Sequence, residues 1–544
     1  MCDHDPKCVR TIEDSHTEHV LELSTHSADC GVRSEHTLTD SASCASFQLD
    51  FAASDAAGHR SRDSERSVTP DEFRRAGHAL VEWIADYRER LARGDLPVQS
   101  TVRPGDLVRR LPTTAPERGE PFEAILRDLD ALILPGITHW QHPRFFGYFP
   151  SAASLSSLLG DMVSTGLGVV GLTWQASPAL TELEQVTTDW LRDLLGLPAI
   201  FSGVIQDTAS AATFIALVSA RERTTQYGSV RDGLQGAGPP LVVYASTQAH
   251  SSVEKAALLA GIGRNHVRAI PVDTEYRLSV PALESAIAQD RAAGLRPCAV
   301  VATSGTTATT AMDPIAAIAA IARREGLWLH IDGAMGGSAM LLPECRHYWA
   351  GVEDADSIVV NPHKWMTVAF DCSVYLVRDS EHLVRVMSTN PSYLQTPVDA
   401  QVRNYRDWGI ALGRRFRALK LWMTLRDQGV EAIRERLRRD VANARQLAAQ
   451  VDATPPWRCL APVTLQTVCV RHEPPGLEGE GLDRHTLRWV QAINDSGSAY
   501  LTPAVIDGRW MARVSIGSEL TEAAHVQSLW QTMRDAAVAS AGAA

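Results

Sequence analysis

The chain has 544 residues, 45% of them hydrophobic, and a formal net charge of -12, so it buries a large core in more than one structural unit and is poorly suited to nucleic acid or an anionic membrane as partner. No apolar run approaches the roughly 20 residues needed to cross a bilayer, and the polar opening MCDHDPKCVR lacks a signal-peptide core. Nine cysteines without CxxC spacing fit reduced thiols, so a cytoplasmic globular protein is expected.

Residues 1–66 are rich in Ser, Asp, His and Glu, carry thirteen acidic against six basic residues, and hold Cys2, Cys8, Cys30 and Cys44. No ligand pair falls at finger-like spacing, so no metal is expected and the segment reads as a disordered extension. Ordered structure is expected from SVTPDEFRRAGHALVEWIADYRERL. Thr69 can cap a helix, Pro70 suits its first position, and Asp71 and Glu72 favour its positive end. Phe73, Ala76, Leu80, Trp83 and Ile84 then recur at helical spacing. A Pro-rich connector leads to a second amphipathic helix over residues 122–133.

Trp140, Phe145, Phe146, Tyr148 and Phe149 fall within ten residues, against a chain average of 6% aromatic. Such a cluster serves as core or as the wall of a pocket for a flat apolar side chain. An apolar pocket also suits loss of CO2, because it destabilises a carboxylate relative to a charge-dispersed transition state.

From about residue 150 the β-type runs LVVYAS, CAVVAT, LWLHID, SIVV and SVYLVR alternate with helical runs such as ASAATFIALVSARER and PIAAIAAIARRE. This is the pattern of α/β units around a mostly parallel sheet. A long helical stretch follows Leu412, and a smaller section then places LQTVCVRH and RWMARVSIG between helices. The expected organisation is a helical segment over 67–150, a large domain over 151–421 and a small α+β domain over 422–544.

In open α/β sheets, ligands gather at the carboxyl ends of strands. Here those ends present His250 after LVVYAS, Thr303 closing CAVVAT, Asp332 closing LWLHID, and Asn361, Pro362, His363 and Lys364 after SIVV. Taken singly, each has an ordinary reading as a cap, a core residue or a snorkelling lysine. Together, an aspartate closing one strand and a lysine 32 residues later, just past the next, suit pyridoxal 5'-phosphate (PLP). The lysine amine forms a Schiff base with the aldehyde, which calls for desolvation and a lowered pKa. The aspartate keeps the pyridine nitrogen protonated, making the ring an electron sink, and His250 offers an aromatic plate. Thr208, Ala209 and Ser210 open a helix whose N–H groups and dipole favour the phosphate, with Asp207 expected to cap the helix and point away. The loop STNPSYLQTPVDAQVRNYRDW carries Tyr393, as ordinary surface or as a lid that delivers a phenolic proton.

On these residues the chain resembles the group II PLP-dependent decarboxylases, in the aromatic-L-amino-acid decarboxylase branch. The matching blocks, in order, are GITHWQHPRFFGYFP, SPALTELE, QAHSSVEKA, ATSGTT, NPHKWM, PSYLQT and LGRRFRALKLW, within a span from about Thr69 to about Met533. The resemblance implies a fold-type I PLP enzyme, with a mostly parallel seven-stranded sheet in the large domain, assembled as a homodimer with active sites at the subunit interface. It implies Lys364 as the Schiff-base lysine, Asp332 as the pyridinium partner, and His250 stacked on the ring and orienting the substrate carboxylate. Thr303 and Ala334 would flank the ring, Ala209, Ser210 and Asn361 would hold the phosphate, and His363 would sit beside Lys364. Tyr393 would protonate the α-carbon from the lid. Trp140, Tyr148, Phe149, Val170 and Leu172 would line the side-chain pocket, with Gly413 arriving from the partner subunit.

Gly333 and Met335 stand where Ala and Tyr are usual, QDTASAA replaces a Gly-Ser-Ala-Ser-Glu pattern, and Leu172 replaces a common Phe. These departures bear on the substrate ring, not on the chemistry. The implied activity is decarboxylation of an aromatic L-amino acid to its arylalkylamine. Gly413 favours tryptophan-type substrates, with phenylalanine, tyrosine and DOPA open. Oxidative decarboxylation–deamination to an aldehyde is the alternative on the same fold, and it goes with Phe at the position of Tyr393. A binding protein without chemistry would have lost Lys364, Asp332 or Tyr393, and all three are present.

Overall fold

A computed structural model describes residues 68–235 and 238–541; the extension expected at 1–66 lies outside the described residues. The first helix, Pro70–Arg93, starts as its sequence predicts. The Thr69 hydroxyl accepts the Glu72 N–H while the Glu72 carboxylate accepts the Thr69 N–H, so two orphan donors are satisfied by one capping box. Gly94, at φ 77°, ends the helix in the left-handed conformation. After a short helix over Asp106–Arg110, the second helix that the sequence predicts runs Phe122–Asp128 and closes in a π-turn over Leu129–Ile133.

Seven strands form the central sheet: β1 (Ser202–Gln206), β2 (Leu241–Ser246), β3 (Val267–Ile270), β4 (Arg296–Thr303), β5 (Trp328–Asp332), β6 (Ser357–Val360) and β7 (Ser373–Val377). Their order is β1-β7-β6-β5-β4-β2-β3. Every pairing from β6 to β3 is parallel, and β7 runs antiparallel to both its neighbours. All residues of β2, β5, β6 and β7 are buried, as a sheet covered on both faces requires. Strands β1 and β3 escaped the sequence reading. β1 is a five-residue edge strand, and β3 (VRAI) buries only its last residue, so neither shows a long apolar run.

A second, antiparallel sheet has the order β10-β11-β9-β8, from β8 (Trp457–Cys459), β9 (Thr467–His472), β10 (Thr502–Ile506) and β11 (Arg509–Ser515). Pro503 is tolerated because β10 is an edge strand. Helices Gly479–Asp495 and Ala523–Ala541 back this sheet, and Trp457 meets Trp489 and Trp530 edge-on, with ring centroids 5.4 and 5.2 Å apart. The helical stretch expected after Leu412 begins at Ala418 and runs to Asp452, broken at Gly429 (φ 73°, ψ 153°). Leu419, Leu421 and Leu425 belong to the core of the large sheet, whereas Ala444, Leu447 and Val451 belong to that of the small one. The expected division at 421/422 therefore falls within a helix that bridges both cores. Among the described residues no helix is long and apolar enough to cross a membrane.

Candidate active site

Strands β6, β5, β4 and β2 are consecutive in the sheet and run parallel, so their carboxyl ends share one edge. That edge borders a cavity of about 200 Å³, and all ten residues expected to hold a cofactor line it: Thr208, Ala209, Ser210, His250, Thr303, Asp332, Ala334, Asn361, His363 and Lys364. Phe149, read from the sequence as part of the side-chain pocket, and Met335, Gly305, Thr307 and Ser252, to which the sequence reading gave no role in holding the cofactor, complete the wall.

Burial lowers the pKa of Lys364, as does the Arg513 guanidinium, against an opposing pull from the Asp332 carboxylate. The amine is thereby shifted toward its neutral, nucleophilic form. Asp332 accepts the Ala334 N–H on one oxygen at 3.1 Å, leaving the other for a ligand. His250 takes the Ser252 N–H on Nδ1 at 3.2 Å, which puts the proton of the neutral ring on Nε2. Its pKa is lowered by burial first; Asp332 raises it and Lys364 lowers it. His363 likewise accepts the Cys372 N–H on Nδ1 at 3.0 Å, and burial together with Lys364 pushes its pKa down to about 3. Two neutral imidazoles thus flank the lysine, His363 buried and His250 open to the cavity.

The helix Ala209–Thr225 points its start into the same cavity. Its cap is Thr208, whose hydroxyl accepts the Ala211 N–H at 3.3 Å, and not Asp207 as expected. Asp207 instead accepts the backbone N–H of Thr208 at 2.6 Å. The N–H groups of Ala209 and Ser210 remain as first-turn donors for an anion. The Asn361 side-chain oxygen accepts the Ser373 hydroxyl at 2.6 Å, which leaves the amide N–H groups of Asn361 to donate.

A second cavity of about 740 Å³ shares Phe149, His250, Thr307, His363 and Lys364 with the first. Trp140, Tyr148 and Phe149 line it as expected, with Trp140 and Tyr148 stacked 5.4 Å apart at 10°. Phe370, Thr502, Ala504 and Arg513 also line it, and sequence reasoning missed them. The last three stand on β10 and β11, more than a hundred residues beyond Lys364.

Four expected residues line neither cavity of this chain. Val170, Leu172 and Gly413 lie elsewhere; a Cβ on Gly413 would meet Val170 Cγ1 at 3.5 Å, and the Val170 side chain is exposed. Tyr393, in the 3-10 turn Ser392–Leu394, is 77% exposed. Val170 and Leu172 are thus grouped with Gly413, apart from the aromatic wall with which they were read.

PLP requires a desolvated amine, a carboxylate and an anion cradle, and the smaller cavity supplies all three. The buried Thr303 hydroxyl, which has no hydrogen-bond partner among the described residues, is a further polar group left for a ligand there. The parallel sheet and these strand ends define the class: an enzyme of PLP fold type I. The chain belongs to the pyridoxal-dependent decarboxylases, since the model of the pyridoxal-dependent decarboxylase conserved domain matches residues 104–473. A tyrosine decarboxylase of Papaver somniferum is 40% identical over 504 residues, covering 88% of this chain and 97% of the relative. A phenylacetaldehyde synthase of Arabidopsis thaliana is also 40% identical, covering 87% and 97%. The crystal structure of Oryza sativa TDC with PLP and tryptamine superposes with a TM-score of 0.84 at 36% identity, covering 87% of this chain and 99% of that one.

Proposed function

We propose that the protein removes the α-carboxyl group of an aromatic L-amino acid as CO2 and releases the arylalkylamine. The observation that carries this reading is the continuity of the two cavities: an aromatic-walled chamber shares Lys364, His250 and Phe149 with the cofactor-sized one. When bound, PLP supplies the sink for the electron pair that CO2 leaves on the α-carbon. Lys364 would hold the cofactor through its amine, Asp332 would hold positive charge on the pyridine nitrogen, and Ala209, Ser210 and Asn361 would hold the phosphate. His250, with a free Nε2–H, would stack on the ring and orient the substrate carboxylate. Trp140, Tyr148 and Phe149 would hold the flat side chain and exclude water from it.

The assembly that fits is a homodimer. Val170, Leu172, Gly413 and Tyr393 then act on the cavity of the partner subunit, with Tyr393 delivering the proton to the α-carbon. Support comes from the exposure of Val170 and Tyr393 and from the apolar face that Leu155, Leu159, Met162, Val163 and Leu167 present beside them in the chain. Residues 67–150 would serve dimerisation, 151–421 would bind the cofactor, and 422–544 would form the small domain, whose Thr502, Ala504 and Arg513 wall the larger cavity. A cytoplasmic setting agrees with the free thiols of Cys298, Cys345, Cys372, Cys459 and Cys469.

Gly413 favours a tryptophan-type ring. The aldehyde-forming reading rests on the phenylacetaldehyde synthase similarity, and Tyr393 speaks against it. The test is to compare kcat/KM for tryptophan, tyrosine, phenylalanine and DOPA while following CO2 and H2O2. CO2 without peroxide is expected. Peroxide in step with CO2 would move the protein to the aldehyde-forming class, and absence of CO2 from all four would overturn the aromatic assignment.

A further inference from the structure

One charged side chain in the wall of the larger cavity belongs neither to the cofactor set nor to the aromatic cluster. Arg513 stands on β11, is 3% exposed, and has no carboxylate partner among the described residues. A buried cation without a counter-ion is unfavourable unless other groups satisfy it. Here Nη1 donates to the Tyr148 carbonyl, Nε donates to the Ala308 carbonyl at 3.2 Å, and the guanidinium lies 4.3 Å from the centroid of the Phe149 ring, while Nη2 has no partner among the described residues. On that ring the Lys364 amine sits 5.2 Å from the centroid.

The residue that Arg513 grips is a strained one. Tyr148 has φ 46°, a left-handed conformation that a non-glycine residue holds only when its surroundings enforce it. Its N–H donates to Thr502 Oγ1 at 2.7 Å, and its carbonyl is held by Arg513. Two residues earlier, the Phe146 N–H bonds the Tyr500 carbonyl and the Ser515 N–H bonds the Phe146 carbonyl, both at 2.9 Å. The aromatic segment is therefore clipped to the small sheet, and Arg513 ties that clip to the ring over Lys364 and to the loop after β4.

We propose that Arg513 is a positioning residue for the reaction: it holds the strained Tyr148–Phe149 turn so that Phe149 covers Lys364 and Tyr148 stacks on Trp140. The proposal rests on the decarboxylase reading above. Its chemistry needs the planar fork of arginine, because a lysine ammonium at the same place cannot bond two carbonyls while lying flat on a ring. Its charge has a separate effect, since it helps to keep the Lys364 amine neutral.

The test compares holoenzymes carrying Arg513→Lys and Arg513→Met. Both are expected to lose about tenfold to a hundredfold in kcat/KM, the scale of a misplaced substrate, with KM raised and the melting temperature near that of the wild type. In Arg513→Met, the pH titration of the bound cofactor's visible absorbance should also move to higher pH, because a cation near Lys364 is gone. In Arg513→Lys it should stay in place. Wild-type kcat/KM in Arg513→Lys would mean that charge alone suffices and would overturn the proposal. So would a loss of activity that follows a fall in melting temperature in both variants with the titration unmoved, because the role would then be structural. The titration needs no turnover, so it remains readable even if the aromatic-substrate reading fails.

Discussion

Glu184 and Arg414 form a buried ion pair whose disruption has a calculable cost. Glu184, on the helix Pro178–Leu194, is fully buried, and Arg414 is 5% exposed. One carboxylate oxygen accepts from Arg414 Nη2 at 2.5 Å and from the Ile205 N–H at 2.7 Å, while the same Nη2 donates to the Ile205 carbonyl at 2.7 Å. The Arg414 carbonyl then takes the Gly171 N–H at 2.9 Å, so the pair fixes edge strand β1, the Gly413 segment and the Val170–Leu172 segment together. Glu184→Gln keeps the volume and an acceptor but leaves the guanidinium buried without a counter-charge. Breaking a buried pair in this way costs about 3–5 kcal/mol, and the retained acceptor places the cost near the lower figure. With an m-value near 3 kcal/mol/M, the urea midpoint should fall by about 1 M. Arg414→Met alone strands the carboxylate and should cost a similar amount. The double variant should recover much of the loss, because neither charge then lies buried alone. A Glu184→Gln midpoint equal to the wild type, or a double variant whose loss is the sum of the single ones, would refute this account of the pair.

Lys364→Ala should lose the bound cofactor on dialysis together with activity, and retention of wild-type turnover would remove the central assignment. Tyr393→Phe should slow amine formation by about a hundredfold to ten-thousandfold if its phenol is the acid, with peroxide measured in the same reaction; unchanged amine formation would release Tyr393 from that role. Gly336→Ala should destabilise by about 1–3 kcal/mol, because its Cβ would press into the Ser304 carbonyl oxygen and lie 3.1 Å from the Gly305 nitrogen; thermal melting reads this out, and no change would show that the loop yields freely. Burial lowers His142, His330 and His472 to about 4 and His363 to about 3, from 6.5, so between those values and 6.5 the unfolded chain binds more protons and stability falls as the pH drops. Asp313 and Asp440, raised by burial to about 7, act oppositely, and four groups against two leave melting temperature rising from pH 4.5 to 6.5; a flat or falling profile would contradict this.

The cofactor side of the site was legible because it is encoded by strand ends. His250, Thr303, Asp332 and Lys364 each follow a short apolar run, and parallel strands separated by helices must bring such ends to one edge. Capping at Thr69 was equally local, since the hydroxyl, proline and carboxylate lie within four residues. Capping at Thr208 was misjudged because Asp207 and Thr208 are both good caps, and only the backbone path shows which side chain reaches the Ala211 N–H.

The sequence by itself determined the parallel sheet, the set of polar strand ends and the aromatic segment that could wall a pocket, because each depends on residues near one another in the chain. Only the tertiary structure decided that β10 and β11 bring Thr502, Ala504 and Arg513 to that pocket, and that Val170, Leu172 and Gly413 gather away from it. The physical reason is range: periodicity and capping act over a few residues, whereas the meeting of a small antiparallel sheet with a strained turn more than 350 residues earlier is set by how two cores pack across one bridging helix.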